Sequence, residues 1–359
     1  MTSNLNPVQR YSMILQNPLY SLQYLFVFTI PLVCFWSSYH IEWASWATLL
    51  YAFGLIPIVE WIIPANGKAH DYKSQDGWTF DTILFLCIPV LYGLQYRVFD
   101  SLKNQDIFSL QAIGLILGLG ICGGVIGINV AHELGHRTSV WYKFAAHLLL
   151  LPCSFLHFYL EHNYGHHKQV ATPNDPATAR KGESLYRFWL RSSGQGYVHA
   201  WTISRELYRR KASLIPIMPI YHLIILGYYI LIGYFFGWSG VFCLAISSAV
   251  SILLLETVNY IEHYGLEREK LPNGTYEQVQ ANHAWDSEQL IGRIALFELS
   301  RHADHHQHSS KTYYQLNPQI ASYKLPTGYP GSMILAAIPW LWFKIINDRL
   351  EKNTKQYHI

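Results

Sequence analysis

The sequence predicts an all-α integral membrane protein, and three observations carry that prediction. Only 14% of the 359 residues are charged, while 51% are hydrophobic and 15% aromatic; an ordinary soluble domain carries about 25% charged residues. The apolar residues arrive in blocks, with Trp and Tyr gathered near the block ends as at a membrane–water interface. Histidine is crowded, with 18 in the chain, and the grouped ones fall at or just after the ends of apolar blocks.

Six spans follow from the blocks: residues 21–36, 43–63, 82–96, 110–131, 215–238 and 240–260. A bilayer crossing needs roughly 20 apolar residues, with a short limit near ~17, so the first and third are short. Buried helices of a soluble enzyme imitate one or two such blocks, not six. The first 19 residues lack the basic-then-apolar start of a cleavable signal, so the first span is expected to remain as an anchor. Between Arg137 and Lys211 stand eleven Lys or Arg against four Asp or Glu. The positive-inside rule puts that segment in the cytoplasm, and six spans then put both termini there too. Segments 132–214 and 261–325 become a cytoplasmic helical cap, and residues 1–359 read as one membrane domain. A nucleic-acid partner is not expected, because the basic excess flanks spans and no binding motif accompanies it. Cys34, Cys87, Cys122, Cys153 and Cys243 are scattered through apolar segments without C-x-x-C pairing. They read as small buried hydrophobes.

Nine histidines are grouped: His132 and His136; His162, His166 and His167; His263; and His302, His305 and His306. Three pairs are spaced i,i+4 and share a face if helical. His167 follows His166 directly and points about 100° away around an α-helix, so one cluster can serve two metals. The expected partition is one ion on His132, His136, His162 and His166, and a second on His167, His263, His302, His305 and His306. Glu133, Glu161, Asp175, Glu262 and Asp304 shadow the clusters. Acids in that position commonly accept the second N–H of a ligating imidazole, and they are assigned that outer role. The other nine histidines read as ordinary polar residues, with His157 and His283 the two worth watching.

The stretch "NVAHELGHR" (Asn129 to Arg137) contains a literal H-E-x-x-H, the helix signature of a zinc peptidase with Glu133 as its base. A zinc peptidase needs three protein ligands and a water, and has no use for six further histidines at ligand spacing. An imidazole-rich site without thiolates also suits iron, which can activate O₂ where zinc cannot.

At these boxes the chain resembles the membrane di-iron superfamily of fatty-acid desaturases and hydroxylases, and within it the membrane alkane 1-monooxygenases. The matching runs are "HELGHR" (132–137), "EHNYGHHKQVATPNDPATARKGESLYRF" (161–188), "NYIEHYGL" (259–266), "RHADHH" (301–306) and "LPTGYPG" (325–331). The chain departs from the family at His283-Ala284-Trp285-Asp286, where H-S-W-N is usual, and at Ser300 and Ala303; neither departure removes a ligand. The resemblance implies two non-haem irons held by the nine histidines. It implies O₂-dependent hydroxylation of the terminal carbon of medium- or long-chain n-alkanes in a bacterial inner membrane. The implied electron donor is rubredoxin, reduced by an NAD(P)H-dependent flavoprotein. This chain carries no rubredoxin cysteines and no strand–turn–helix nucleotide fingerprint, so both partners would be separate proteins. Related membrane enzymes acting on xylene-type methyl groups or acyl chains share the boxes. A non-catalytic iron-storage or transport protein is the other alternative.

An alkane offers no polar handle, so its path must be apolar and open to lipid. Tyr51, Ala52 and Phe53 in the second span are one candidate wall. Gly120 and Gly124 in the glycine-rich fourth span are another, although small-x₃-small spacing equally marks close helix packing.

Overall fold

The computed structural model describes residues 18–63, 65, 67, 77–211 and 215–357; His70 and His358 lie outside them. Its helices are α1 (Ser21–Ser37), α2 (Ala47–Ile62), α3 (Gly77–Leu102), α4 (Leu110–Gly135) and α5 (Val140–Cys153). They continue with α6 (residues 158–169), α7 (Leu185–Lys211), α8 (Ile217–His263), α9 (Leu290–Ala295), α10 (His302–Gln307), α11 (Tyr329–Ala336) and α12 (Pro339–Tyr357). The two strands, β1 (Trp285–Asp286) and β2 (Tyr323–Lys324), are two residues each and pair in parallel.

The fold is that of a membrane protein. Among the described residues three helices, α3, α4 and α8, are long and apolar enough to cross a bilayer, and the bent pair α11–α12 makes a fourth candidate; α1 and α2 are shorter apolar helices. This differs from the six expected spans for two physical reasons. Helix α1 begins as 3₁₀ and α2 is interrupted by a π-helical stretch, Tyr51–Leu55, so neither has full length. The two blocks 215–238 and 240–260 form one 47-residue element, broken at Gly237. A straight helix of that length would reach about 70 Å, more than twice a bilayer core of about 30 Å. Gly237, at φ 63° and ψ −162°, takes a conformation that is essentially glycine's own. The chain turns back there: Ser154 Oγ meets both Tyr229 Oη and Ser248 Oγ, from opposite sides of the break. The outer face of α8 stays bare, with Tyr234 82% and Trp238 86% exposed, as lipid contact requires.

Helix α4 is the central post. Ser109 caps its start by accepting from the Ala112 N–H, and its glycines admit neighbours closely. Ser251 Oγ of α8 donates to the Gly120 carbonyl at 2.8 Å, and a Cβ on Gly120 would lie 2.5 Å from Val250 Cβ. The letters G-x-G-x-x-G do occur at residues 118–123, but inside this helix with no strand before them, so they mark packing and not a nucleotide loop. From Gly123 to Ile128 the helix opens into a π-turn, then closes again through Asn129–Gly135. A third π-helical stretch, Glu161–His166, lies in α6. Helix α7 is amphipathic, burying Phe188, Ser192, Ala200, Ile203 and Ser204 and exposing arginines.

Candidate metal centre

Four pieces of chain bring nine imidazoles together. His132 and His136 come from the end of α4, His162, His166 and His167 from α6, His263 from the last residue of α8, and His302, His305 and His306 from α10. Their ring nitrogens form two groups: His132, His136, His162, His167 and His305 in one, and His166, His263, His302 and His306 in the other, with donor atoms in each lying within 4.8 Å of one another. The groups abut, the rings of His167 and His306 being 4.6 Å apart.

This is not the partition expected from α-helical spacing; His166, His167 and His305 each change sides. The cause is local pitch. In the π-turn the His167 N–H reaches the His162 carbonyl, five residues back. An i→i+5 step packs more residues into the turn, so His167 comes round to the face of His162 as well, and His166 and His167 flank it, their rings 5.4 and 4.6 Å from that of His162. In α10 the ordinary helix puts His302 and His306 together, and His305, about 100° away from His306, turns to the other group.

The nitrogens fit a metal. Nε2 of His162 faces Nε2 of His136 at 3.1 Å and of His167 at 3.0 Å. His132 and His305 face each other at 3.0 Å, and His302 meets His263 and His306 at 3.0 and 2.9 Å. Neutral imidazoles have too few protons to satisfy such converging lone pairs. Metal–imidazole bonds of about 2.1 Å at right angles would put nitrogens about 3 Å apart. His166 Nε2 is buried without a partner while its Nδ1 is engaged. Burial, with repulsion from neighbouring imidazoles second, holds His162, His167, His302, His305 and His306 well below the usual histidine range and His136 down at about 4. They are therefore neutral at pH 7, the form that ligates.

Of the five acids expected in an outer role, Asp175 is the one whose carboxylate meets the Nδ1 of a grouped histidine. Burial alone would disfavour both charges, but Asp175 Oδ2 lies 2.9 Å from His166 Nδ1, which raises the imidazole and lowers the carboxyl. Thr178 Oγ1 and the Ala177 N–H donate to the same acid. Glu262 is different from expectation: Oε2 lies 3.2 Å from Nε2 of His302, the donor atom itself, and Oε1 accepts from Tyr329 Oη at 2.6 Å. The remaining three bond elsewhere. Glu133 accepts from Arg137 and from the Tyr313 N–H, so it is not poised as a peptidase base. Glu161 pairs with His199. Asp304 accepts from His308, Lys311, Gln319 and the Asn317 N–H, pinning the chain beyond α10.

Two supports escaped the sequence. The His283 carbonyl lies 3.4 Å from His263 Nδ1; main-chain oxygens leave no signal in side-chain letters. Asp286 Oδ1 accepts from the Ala303 N–H at the start of α10, delivered there by the β1–β2 pairing. Burial raises its carboxyl to about 6. Phe297 and Glu298 both take positive φ, a strain of about 1–3 kcal/mol each. A buried ion network opposes it: Arg293 Nε lies 2.7 Å from Glu298, Arg301 is 3.4 Å from Glu298, and Tyr24 Oη donates to Glu298. The network fixes the turn that launches His302.

Two cavities bear on the site, of which the polar one reaches it. An apolar one is lined by Ala52, Phe53 and Gly124 among others, and the space around its walls, open solvent included, comes to about 660 Å³. Of the other expected wall residues, Tyr51 donates to Thr29 Oγ1 and Gly120 packs against α8; neither lines it. A polar one, about 410 Å³ with open solvent included, touches His162 and His166.

Fold and site together define a membrane protein with a histidine-rich metal-binding site made of two adjoining imidazole groups. Residues 108–326 match the fatty acid desaturase family. The chain is 34% identical to alkane 1-monooxygenase 1 of Alcanivorax borkumensis over 324 residues, 85% of this chain and 78% of that one. It is also 34% identical to alkane 1-monooxygenase 2 of Pseudomonas aeruginosa over 341 residues, 90% of this chain and 89% of that one. The hydroxylase component of a xylene/toluene monooxygenase from Pseudomonas putida is 26% identical over 322 residues, 88% of this chain and 84% of that one. The chain belongs to the fatty acid desaturase family, among its alkane 1-monooxygenases.

Proposed function

We propose that the protein hydroxylates the terminal carbon of medium- or long-chain n-alkanes. One atom of O₂ enters the C–H bond, and the other leaves as water with two electrons and two protons. The observation that supports this most is an apolar cavity whose two polar lining residues lead to the imidazole groups, Asn129 three residues before His132 and Tyr329 through Glu262 to His302. The nine histidines are the ligands of two irons, one per group; bound iron supplies the redox chemistry that activates O₂. The chain's own residues do the rest. Asp175 holds the tautomer and orientation of His166, and the His283 carbonyl does so for His263. The ion network before His302 keeps three ligands of α10 in place. Ala52, Phe53 and Gly124 shape the cavity, which selects by fit because an alkane has nothing to hydrogen-bond.

Electrons come from separate proteins, a rubredoxin and its NAD(P)H-dependent reductase, docking on the basic face between Arg137 and Lys211. That face and both termini are cytoplasmic, and the membrane is a bacterial inner membrane. The six-span topology is retained in this reading, with α8 counted as two passes because it turns back at Gly237. The test is elemental analysis of the detergent-solubilised protein, followed by octane turnover with rubredoxin, reductase and NAD(P)H. Two irons, one per histidine group, and 1-octanol are expected. A single zinc and no iron, from cells supplied with iron, would overturn the reading. The xylene/toluene relative makes aryl-methyl oxidation the competing activity, and faster turnover of xylene than octane would favour it.

A further inference from the structure

We propose that Leu255 is the partition between a dry substrate cavity and a wet cavity at the metal centre. It sets how far a terminal methyl advances and keeps water from following. The inference rests on the alkane-hydroxylase reading and assigns one residue a specificity role within it. Among the described residues, Leu255 is the one common to both cavity linings. It stands on α8 about two turns before His263.

The two cavities differ in what they demand of solvent. In the apolar one only Asn129 and Tyr329 carry polar side chains, and both donors are committed elsewhere, Asn129 to the Leu296 carbonyl and Tyr329 to Glu262. An apolar cavity with no free donor stays dry. The other is lined by His157, Glu161, Ser192, Ser193, Glu256 and Asn259. There Glu256 Oε2 and Ser193 Oγ are buried without a partner in the chain, as is His166 Nε2. Buried polar atoms left unpaired are costly, and a polar cavity with room for even one water answers that cost with water. The polar cavity, not the apolar one, includes the metal-group residues His162 and His166 in its lining. A methyl group therefore has to come to the Leu255 wall to meet the centre, while water waits on the far side.

Truncating the wall joins the cavities. With Leu255→Ala, O₂ reduced without hydroxylation should leave as H₂O₂, taking two electrons and two protons. Octane should also slide further, exposing its second carbon. The expected result is a several-fold fall in alcohol formed per O₂ consumed and a clear rise in 2-octanol over the parent, with iron content unchanged. Leu255→Met, which restores volume, should recover most of the coupling. A parent-like O₂ stoichiometry and regiochemistry in Leu255→Ala would overturn the partition. Labelling gives a readout free of turnover and of metal. In metal-free Leu255→Cys, the thiol should react both with a charged, water-soluble methanethiosulfonate and with a lipid-partitioned alkyl maleimide. The native cysteines are buried, and their background is read from the parent. A thiol reached by one reagent only, or by neither, would also overturn the proposal. If the parent makes no alcohol from any n-alkane, the functional reading fails instead, and the labelling still decides the partition.

Discussion

Replacing Ala52 with Trp tests whether the apolar cavity is where the alkane lies. Ala52 sits in the π-helical stretch of α2, 6% exposed, on the wall of that cavity. The substitution adds nine heavy atoms, on the order of 140 Å³ at interior packing density. That is the space of roughly five methylenes. Each methylene kept from water contributes about 0.8 kcal/mol, so the longest accepted alkanes should lose roughly 4 kcal/mol of binding. At 1.4 kcal/mol per tenfold, kcat/KM for those chains should fall on the order of 10³-fold. Shorter alkanes, which never reach the added ring, should stay within a few-fold of the parent. The assay is competition among n-alkanes of graded length, with alcohols quantified by gas chromatography. A product-length profile that does not move, in protein with full iron, would refute the assignment of the cavity.

Two further predictions follow from the geometry. Asp175→Ala removes the acceptor of His166 Nδ1 and should weaken metal binding about 10–100-fold in the group of four histidines, so that a chelator strips one metal before the other. Glu161→Gln should leave both metals in place, because its partner is His199; equal retention in the two variants would show that Asp175 does not orient a ligand. Gly237→Ala meets nothing within 4 Å, so its whole effect is backbone strain at φ 63°. It should cost about 1–3 kcal/mol, read as a lowered midpoint of thermal unfolding in detergent, and an unchanged midpoint would mean that the turn in α8 is not glycine-dependent.

The nine histidines were legible in the sequence because ligand chemistry is written in residue type and each box is short. Their sorting was not. Residues 161–166 look like any helix in one dimension, and nothing in the letters announces the extra residue per turn that hands His167 to His162. The acids failed for a related reason. Glu133, Glu161 and Asp304 are next to histidines along the chain, but adjacency in a helix points side chains apart, and each found a cation, an imidazole outside the centre or a backbone N–H instead. Asp175, nine residues from His166, was read with the other four as an acid shadowing the clusters, and its carboxylate is the one that meets an Nδ1 of the nine. In the membrane region the split near residue 239 was visible as a gap between apolar blocks, and Gly237 provides it. The shortness of the first block was visible too, although its 3₁₀ start was not.

The π-turn at residues 161–166 makes the centre a matter of phase. Close that turn to ordinary α pitch with no residue removed and every histidine is still present, yet His166, at the i+4 position from His162, swings to where His167 stood. The same nine letters would then build a differently divided pair of sites, still five donors and four, with His166 and His167 exchanged. Box motifs compared by spelling alone would score the two proteins as equal. The spacing of histidines is thus only half of the instruction, and the hydrogen-bond step of the backbone beneath them is the other half.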